Sequence, residues 1–281
     1  MTKRLWAGAM LVAAMLAAAA CGSDSGPSTG TSASTASGQT VMATTTSTRD
    51  TGLLDTLVPA FEKASKCSVK TVAVGSGQAL DLGARGQADV LLVHSPDAEQ
   101  TFMKQGHGSS RLAVMHNDFV LVGPPSDPAK VASAGGIEQA MQAMAKTKSP
   151  FASRADDSGT NAKELKLWQQ VGITPSGSWY IKTGQGMGPT LVIANQKDAY
   201  TLSDRGTYLA TKNLDSKILV QGDPQLQNPY HVIVVKHSGT NVGCAKAFSD
   251  WITSPPTQKL IGRFGKSQYG QALFHPDAAA Q

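Results

Sequence analysis

Ser153-Arg154-Ala155-Asp156-Asp157-Ser158-Gly159-Thr160 is a compact run of hydrogen-bond donors that leads into a helix. Asn161 followed by Glu164 fits an N-cap with its N3 partner, and Ala162, Leu165, Trp168 and Val171 then recur at helical spacing. At such a helix start, backbone N–H groups without intrahelical partners and the positive end of the helix dipole favour an anion. Arg154 adds a planar fork of donors that matches two oxygens at once. The run therefore reads as half of an oxyanion clamp. A competing reading is an N-capped surface loop in which Arg154 pairs with Asp156 or Asp157, because Ser, Thr, Asp and Gly serve any cap or turn.

The same grammar recurs on both sides of this stretch. Upstream, residues 41–43 form a strand candidate, followed by the hydroxyl-rich run Thr44-Thr45-Thr46-Ser47-Thr48. Leu53, Leu54, Leu57, Val58 and Phe61 then mark a helix face that starts near Asp50 or Thr51 and is interrupted or kinked at Pro59. Residues 69–74 alternate as a strand, and Gly75-Ser76-Gly77-Gln78 opens another helical stretch. The apolar run 90–93 ends at His94-Ser95-Pro96, ahead of a helix over 97–105; such buried runs alternating with helices predict a parallel sheet covered on both faces. Strands over 112–115 and 119–122 are joined through His116-Asn117-Asp118, and Gly123-Pro124-Pro125 marks a crossing into a second domain.

Downstream, a helix is expected over 137–145 and a loop through Trp179 and Tyr180. Gly184-Gln185-Gly186-Met187-Gly188-Pro189 is another glycine-rich helix start, with Pro189 in the first turn. Strands over 199–202, 218–220 and 232–235 follow, with Asp204 capping a short helix between the first two, and helices over 245–252 and 258–264 close the chain. The predicted architecture is α/β: two doubly wound lobes joined by crossings near 117–123 and 228–232. Lobe I is residues 41–119 with 231–281 and lobe II is 120–230, and the ligand cleft lies between them at the carboxyl ends of the strands.

The first forty residues stand apart from this pattern. Residues 1–20 have a basic start (Lys3, Arg4), then an apolar alanine-rich run without acidic residues, which reads as a secretory signal too short to span a membrane. Leu16-Ala17-Ala18-Ala19-Ala20-Cys21 resembles the lipobox of bacterial lipoproteins, with Ala18 where leucine is commoner. Cleavage there would leave Cys21 as a lipidated N-terminus on the outer face of the membrane; an ordinary cleaved signal is the alternative. Residues 21–40, rich in Ser, Thr and Gly, are expected to be a disordered tether.

The 281 residues give room for two domains, and 41% hydrophobic with 16% charged residues is the balance of a soluble protein. Removing Lys3 and Arg4 takes the formal charge from +5 to +3, and no basic run is interleaved with aromatics, so nucleic-acid binding has no footing. Besides Cys21 only Cys67 and Cys244 remain. In an exported protein they can form one disulfide, with two buried free thiols as the alternative, and their spacing fits no metal site.

Taken in order, Thr44-Thr45-Thr46-Ser47, AVGSGQAL (73–80), VMHNDFVLVGP (114–124), SRADDSGT (153–160), GQGMG (184–188), AYTLSDRGTY (199–208), GDPQLQNPY (222–230) and YGQALFHPDA (269–278) resemble the tungstate-binding subunit of tungstate ABC transporters. The resemblance runs from about Val41 to Ala278. It implies a type II periplasmic-binding-protein fold that closes on one tetrahedral oxyanion, tungstate, and delivers it to an ABC transporter permease. The implied state is a monomer with no cofactor, no metal cation and no enzymatic activity.

On this basis the expected anion ligands are Thr45, Thr46 and Ser47 from the first loop, Ser76 from the second, Arg154, Ser158, Gly159 and Thr160 from the clamp, and the backbone of Gly186 and Met187. Read singly, each has a plainer role as polar loop, turn, cap or packing. Asp156 and Asp157 either orient Arg154 or accept a proton from a protonated anion such as hydrogen phosphate; they are expected outside the cleft. His94, at the end of a buried strand, is left out of the site.

Two features depart from the family pattern. Ala155 stands where glycine is usual, so a positive φ there would cost stability. Cys67 and Cys244 are additional, which supports a local disulfide. The alternatives of the same fold are molybdate, sulfate or phosphate carriers. A remoter one is an exported serine hydrolase using Ser76 or Ser158 with His94 or His116, which lacks the Gly-x-Ser-x-Gly elbow.

Overall fold

A computed structural model describes residues 36–278 apart from positions 238 and 240. The signal segment, Cys21 and the tether up to residue 35 lie outside the described residues.

The chain opens with β1 (Ser37–Thr45), a short α1 (Thr46–Asp50), α2 (Leu53–Ala64), β2 (Lys66–Val74), α3 (Ser76–Ala84), β3 (Val90–Val93), α4 (Pro96–Lys104) and the long β4 (Gly108–Gly123). It continues through α5 (Ile137–Thr147), β5 (Phe151–Ser153), α6 (Gly159–Gln170), β6 (Tyr180–Lys182), α7 (Met187–Gln196), β7 (Thr201–Asp204), α8 (Arg205–Ala210) and β8 (Lys217–Val220). β9 (Gln227–Val235), α9 (Val242–Ile252), α10 (Pro255–Ile261), α11 (Lys266–Tyr269) and β10 (His275–Pro276) complete it.

In the first lobe β2, β1 and β3 run parallel, β9 is antiparallel to β3, β4 is antiparallel to β9, and β10 lies on β4. Alternation along β1 explains why both faces are covered. Met42 joins Leu57, Phe61, Phe248 and Ile252 in one core, while Ala43 joins Leu80, Leu91, Phe102 and Ile233 in another. Phe61 meets Phe248 edge to face at 5.1 Å, and a disulfide joins Cys67 of β2 to Cys244 of α9 beside them. The two-cysteine expectation is thereby met.

β4 serves both lobes. Residues 108–118 pair with β9, and from Phe119 onward the strand pairs with β7 (Phe119↔Asp204) and β8 (Leu121↔Val220). β5 joins beyond β7 through the parallel bridge Phe151↔Tyr200, and β6 pairs parallel with β5. Phe119, Leu121, Met141, Phe151, Trp168 and Leu202 pack on one side, and Val120, Val122, Met187 and Leu191 on the other.

Several predicted boundaries move. β1 begins at Ser37, so residues 37–40 belong to the fold and not to the tether; Thr40 is fully buried. Thr44 and Thr45 complete this strand, and Thr46 starts a separate one-turn helix. Pro59 does not interrupt α2, which runs on to Ala64. His116-Asn117-Asp118 does not separate two strands but is the middle of the single strand β4, held there by partners from elsewhere in the chain. His116 pairs with Asp277, Asn117 accepts from Asn228, and Asp118 takes two bonds from Arg205. β9 begins at Gln227, five residues before the predicted strand. Tyr180 lies in a strand and not in a loop.

Candidate functional site

Four strand-to-helix junctions meet at one place: β1 to α1, β2 to α3, β5 to α6, and β6 to α7. Arg154 ties them together. Its Nη2 donates to Thr46 Oγ1 at 3.4 Å across the lobes, and its Nη1 donates to Thr160 Oγ1 at 3.4 Å within the clamp. The Gly77 N–H donates to the Asp157 carbonyl at 3.4 Å, bringing the start of α3 against the clamp loop. A side chain built on Gly186 would come 4.0 Å from Thr46 Oγ1, so the start of α7 faces the same point.

The clamp loop has an unusual backbone. Ala155 and Asp157 both lie in the left-handed region, at φ +48° and +55°. The conditional expectation about Ala155 is therefore met: a β-carbon there costs roughly 1–2 kcal/mol relative to a right-handed conformation. A buried hub holds the loop in place. Glu164 Oε2 accepts from the Ser153 hydroxyl and from Asn161 Nδ2 at 3.3 Å, and Oε1 accepts from Trp168 Nε1 at 2.9 Å and the Tyr180 hydroxyl at 2.6 Å. Burial raises the Glu164 pKa, and the four donors oppose that shift. The predicted capping box is corrected accordingly. Ser158 is the N-cap of α6, accepting from the Asn161 N–H at 3.2 Å, and Glu164 faces the core. A residue with four converging buried donors is worth more there than at a solvent-exposed cap.

Arg154 is only 3% exposed, which decides how it is read. The ion pair of the competing reading is present, from Nη2 to Asp156 Oδ2 at 2.6 Å, but it occupies one nitrogen of a buried fork. Arg154 Nε is buried with no hydrogen-bond partner, and so is Ser76 Oγ. A buried, unsatisfied donor costs on the order of 1–3 kcal/mol, more when charged, so both atoms fit an acceptor-rich ligand.

The other expected residues take distinct places. Thr45 caps α1 with its hydroxyl, 2.6 Å from Thr48 Oγ1 and 3.2 Å from Ser47 Oγ. Ser47 is buried beside the Tyr230 hydroxyl. Gly186 is the N-cap of α7 without a side-chain bond, and the Met187 side chain is fully buried in the core, leaving its backbone to face the junction. Gly159 admits no larger residue, because a β-carbon would fall 2.5 Å from His94 Cε1.

His94, omitted from the predicted site, forms the wall behind the clamp. Its Nδ1 pairs with Asn228 Oδ1 at 2.9 Å and its ring lies 4.6 Å from Tyr230. Burial, and then the Arg154 charge, lower its pKa to about 3, so it stays neutral. Asn228 Nδ2 donates to Asn117 Oδ1 at 2.6 Å, linking the two strands that cross between the lobes. The sequence offered a signal for Asn117 and Asn228 in the motifs that contain them, but nothing in local spacing pairs residues 111 apart. Among the described residues no hydrogen bond joins Ser76 or Ser158 to His94 or His116. The Ser158 hydroxyl caps a helix, and His116 is engaged by Asp277.

Residues 30–256 match the family model of the PBP superfamily domain. The tungstate-binding protein TupA of Peptoclostridium acidaminophilum is 48% identical over 270 residues, covering 94% of each chain. That of Campylobacter jejuni is 42% identical over 227 residues, covering 78% of this chain and 84% of its own. Among solved structures, the tungstate ABC transporter from Geobacter sulfurreducens superposes with a TM-score of 0.73 at 44% identity, over 80% of this chain and 98% of that one. The tungstate-binding protein TupA from Desulfovibrio alaskensis G20 does so with a TM-score of 0.72 at 42% identity, over 86% and 100%.

Proposed function

Because the chain belongs to the TupA family of the PBP superfamily, we propose that it captures a tetrahedral oxyanion, tungstate before others, at the junction of its four helix starts. The observation that carries this reading is the buried Arg154 fork, with Nε unpartnered, beside the unpartnered Ser76 hydroxyl. In this reading Thr45, Thr46, Ser47, Ser76, Ser158, Gly159, Thr160, Gly186 and Met187 supply hydroxyl or backbone donors around the charge of Arg154.

The energies are of the right size. A hydrogen bond to a charged group contributes roughly 1.5–3 kcal/mol net. Micromolar binding needs about 8 kcal/mol and nanomolar about 12 kcal/mol, so about six donors suffice after the cost of association. His94 stays neutral, and Asp156 engages one nitrogen of the Arg154 fork, so the anion is held by the remaining guanidinium donors together with the surrounding hydroxyl and backbone donors.

The lobes, residues 37–118 with 231–278 and residues 119–230, close about β4 and β9, and the closed shape signals loading to an ABC permease. Cleavage before Cys21 and its lipidation hold the protein, as a monomer, at the outer face of the membrane. Molybdate shares the shape and charge of tungstate and is the nearest competitor; sulfate and phosphate differ in size and protonation.

Calorimetric titration of the purified protein with tungstate, molybdate, sulfate and phosphate tests the reading. Tight one-to-one tungstate binding is expected, and the ratio to molybdate measures selectivity. Absence of binding by all four anions would sink it.

A further inference from the structure

Behind the clamp, the two lobes and the strands that cross between them enclose a second cavity of about 450 Å³. That volume lies within the range of small-molecule sites. His94 and Gly159, which meet at the back of the clamp, form its inner wall. The first lobe supplies Pro96 from the start of α4, the second supplies Ala162, Lys163 and Lys166 from α6, and Phe119 and Pro229 come from β4 and β9.

The charges around this cavity are balanced except at one residue. Lys166 reaches across the lobes to Asp97 at 2.8 Å, so these two compensate each other at the rim. Asp157 lies at the clamp end and is exposed to solvent, and His94 is neutral. Lys163 is the exception. Its Nζ donates to the Gln225 carbonyl at 2.8 Å and lies 5.9 Å from the centre of the Phe119 ring, and among the described residues it has no carboxylate partner. An ammonium carries three donors, so two remain for a ligand. Burial lowers the Lys163 pKa, a shift that a bound carboxylate would offset.

One uncompensated cation beside walls of Phe119, Pro96 and Pro229 fits a single carboxylate on a small apolar body. A dianion would leave one charge unmatched there, and a cationic ligand would face Lys163 itself.

We propose that this cavity is an effector site for a small amphipathic monocarboxylate, with the carboxylate on Lys163 Nζ and the apolar body against Phe119, Pro96 and Pro229, and that its occupancy raises affinity for the anion in the clamp. The coupling rests on the oxyanion reading above. A ligand that touches Pro96 of the first lobe and Lys163 of the second is held in full only while the lobes face each other as they do here, with Arg154 on Thr46 and Gly77 on Asp157. The clamped anion favours the same arrangement. Each ligand therefore strengthens the other, and by the same factor.

Benzoate is the probe. Calorimetric titration of the purified protein with sodium benzoate should show one site with a Kd of about 1 mM or tighter. Saturating benzoate should then raise tungstate affinity at least about fivefold. Benzyl alcohol and benzylamine, which lack the carboxylate, should do neither. Lys163→Met keeps the apolar stem and should lose benzoate binding. Ala162→Phe fills the cavity from an exposed position and should lose it too, so the outcome does not hang on one variant. Both variants should still bind tungstate. Absence of benzoate binding, binding that survives both substitutions, or a tungstate affinity that benzoate leaves unchanged would overturn the proposal and leave the oxyanion reading standing. So would a weakened tungstate affinity, since benzoate would then be competing in the clamp. Benzoate binding that both variants abolish, in a protein that binds neither tungstate nor molybdate, would instead remove the oxyanion reading and the coupling with it.

Discussion

The two sides of the candidate site are built on opposite plans. The first lobe contributes neutral donors on regular backbone: Thr45, Thr46 and Ser47 at α1 and Ser76 at α3. The second contributes the charge, Arg154, on a loop with two non-glycine residues at positive φ, braced by a buried carboxylate. Neutral hydroxyls adjust by rotating about one bond, so they tolerate an ordinary loop. A guanidinium must be held in both position and plane, and the second lobe devotes the Glu164 hub to that task.

The largest test of this contrast removes the brace. Glu164→Ala deletes the shared acceptor of Ser153, Asn161, Trp168 and Tyr180 and should cost about 3–5 kcal/mol in denaturant unfolding. Glu164→Gln keeps the shape and should recover part of that loss. It should also remove a pH dependence. Because the folded Glu164 pKa is raised, ionisation lowers stability as pH climbs from the unfolded carboxylate range through the folded value, and the amide cannot ionise.

Next in size is the charge itself. Arg154→Ala should weaken tungstate binding by at least about 100-fold, or about 2.8 kcal/mol, measured by calorimetry. If affinity survives that change, the division of labour between the lobes is wrong. On the opposite side Ser76→Ala should weaken binding by only about tenfold. Thermal unfolding without ligand should stay level or rise, since the hydroxyl is buried without a partner. A large stability loss would instead make Ser76 a packing residue. The smallest effect is expected at the strained loop, where Ala155→Gly should stabilise by about 1 kcal/mol and leave affinity within about twofold.

What the sequence revealed divides along the same line. Helix starts announce themselves locally, through glycines, hydroxyls and the return of apolar spacing, so the residues around Thr46, Ser76, Arg154 and Gly186 could be singled out. Cys67 and Cys244 were legible because two cysteines outside any metal-site spacing leave a disulfide as a ready use for the pair. The supports were not legible. Glu164 sits at a spacing that fits a cap equally well, and only the fold brings Trp168 and Tyr180 onto it. Asn117 and Asp118 read as a break between strands until Asn228 and Arg205, distant in sequence, bond to them within β4. β5 and β6, at three residues each, are too short to show a period. Asp204 was readable as a helix cap, and it caps α8 through the Thr207 N–H.

The disulfide has a topological consequence. By joining residues 177 apart in sequence, Cys67 and Cys244 close a covalent ring that contains the whole of the second lobe and both strands that lead to it. A protease that cuts the backbone once anywhere inside that ring opens it without separating the chain into two molecules. The two halves of the binding junction then remain tethered at high effective concentration, and such a nick becomes visible as two fragments only after reduction.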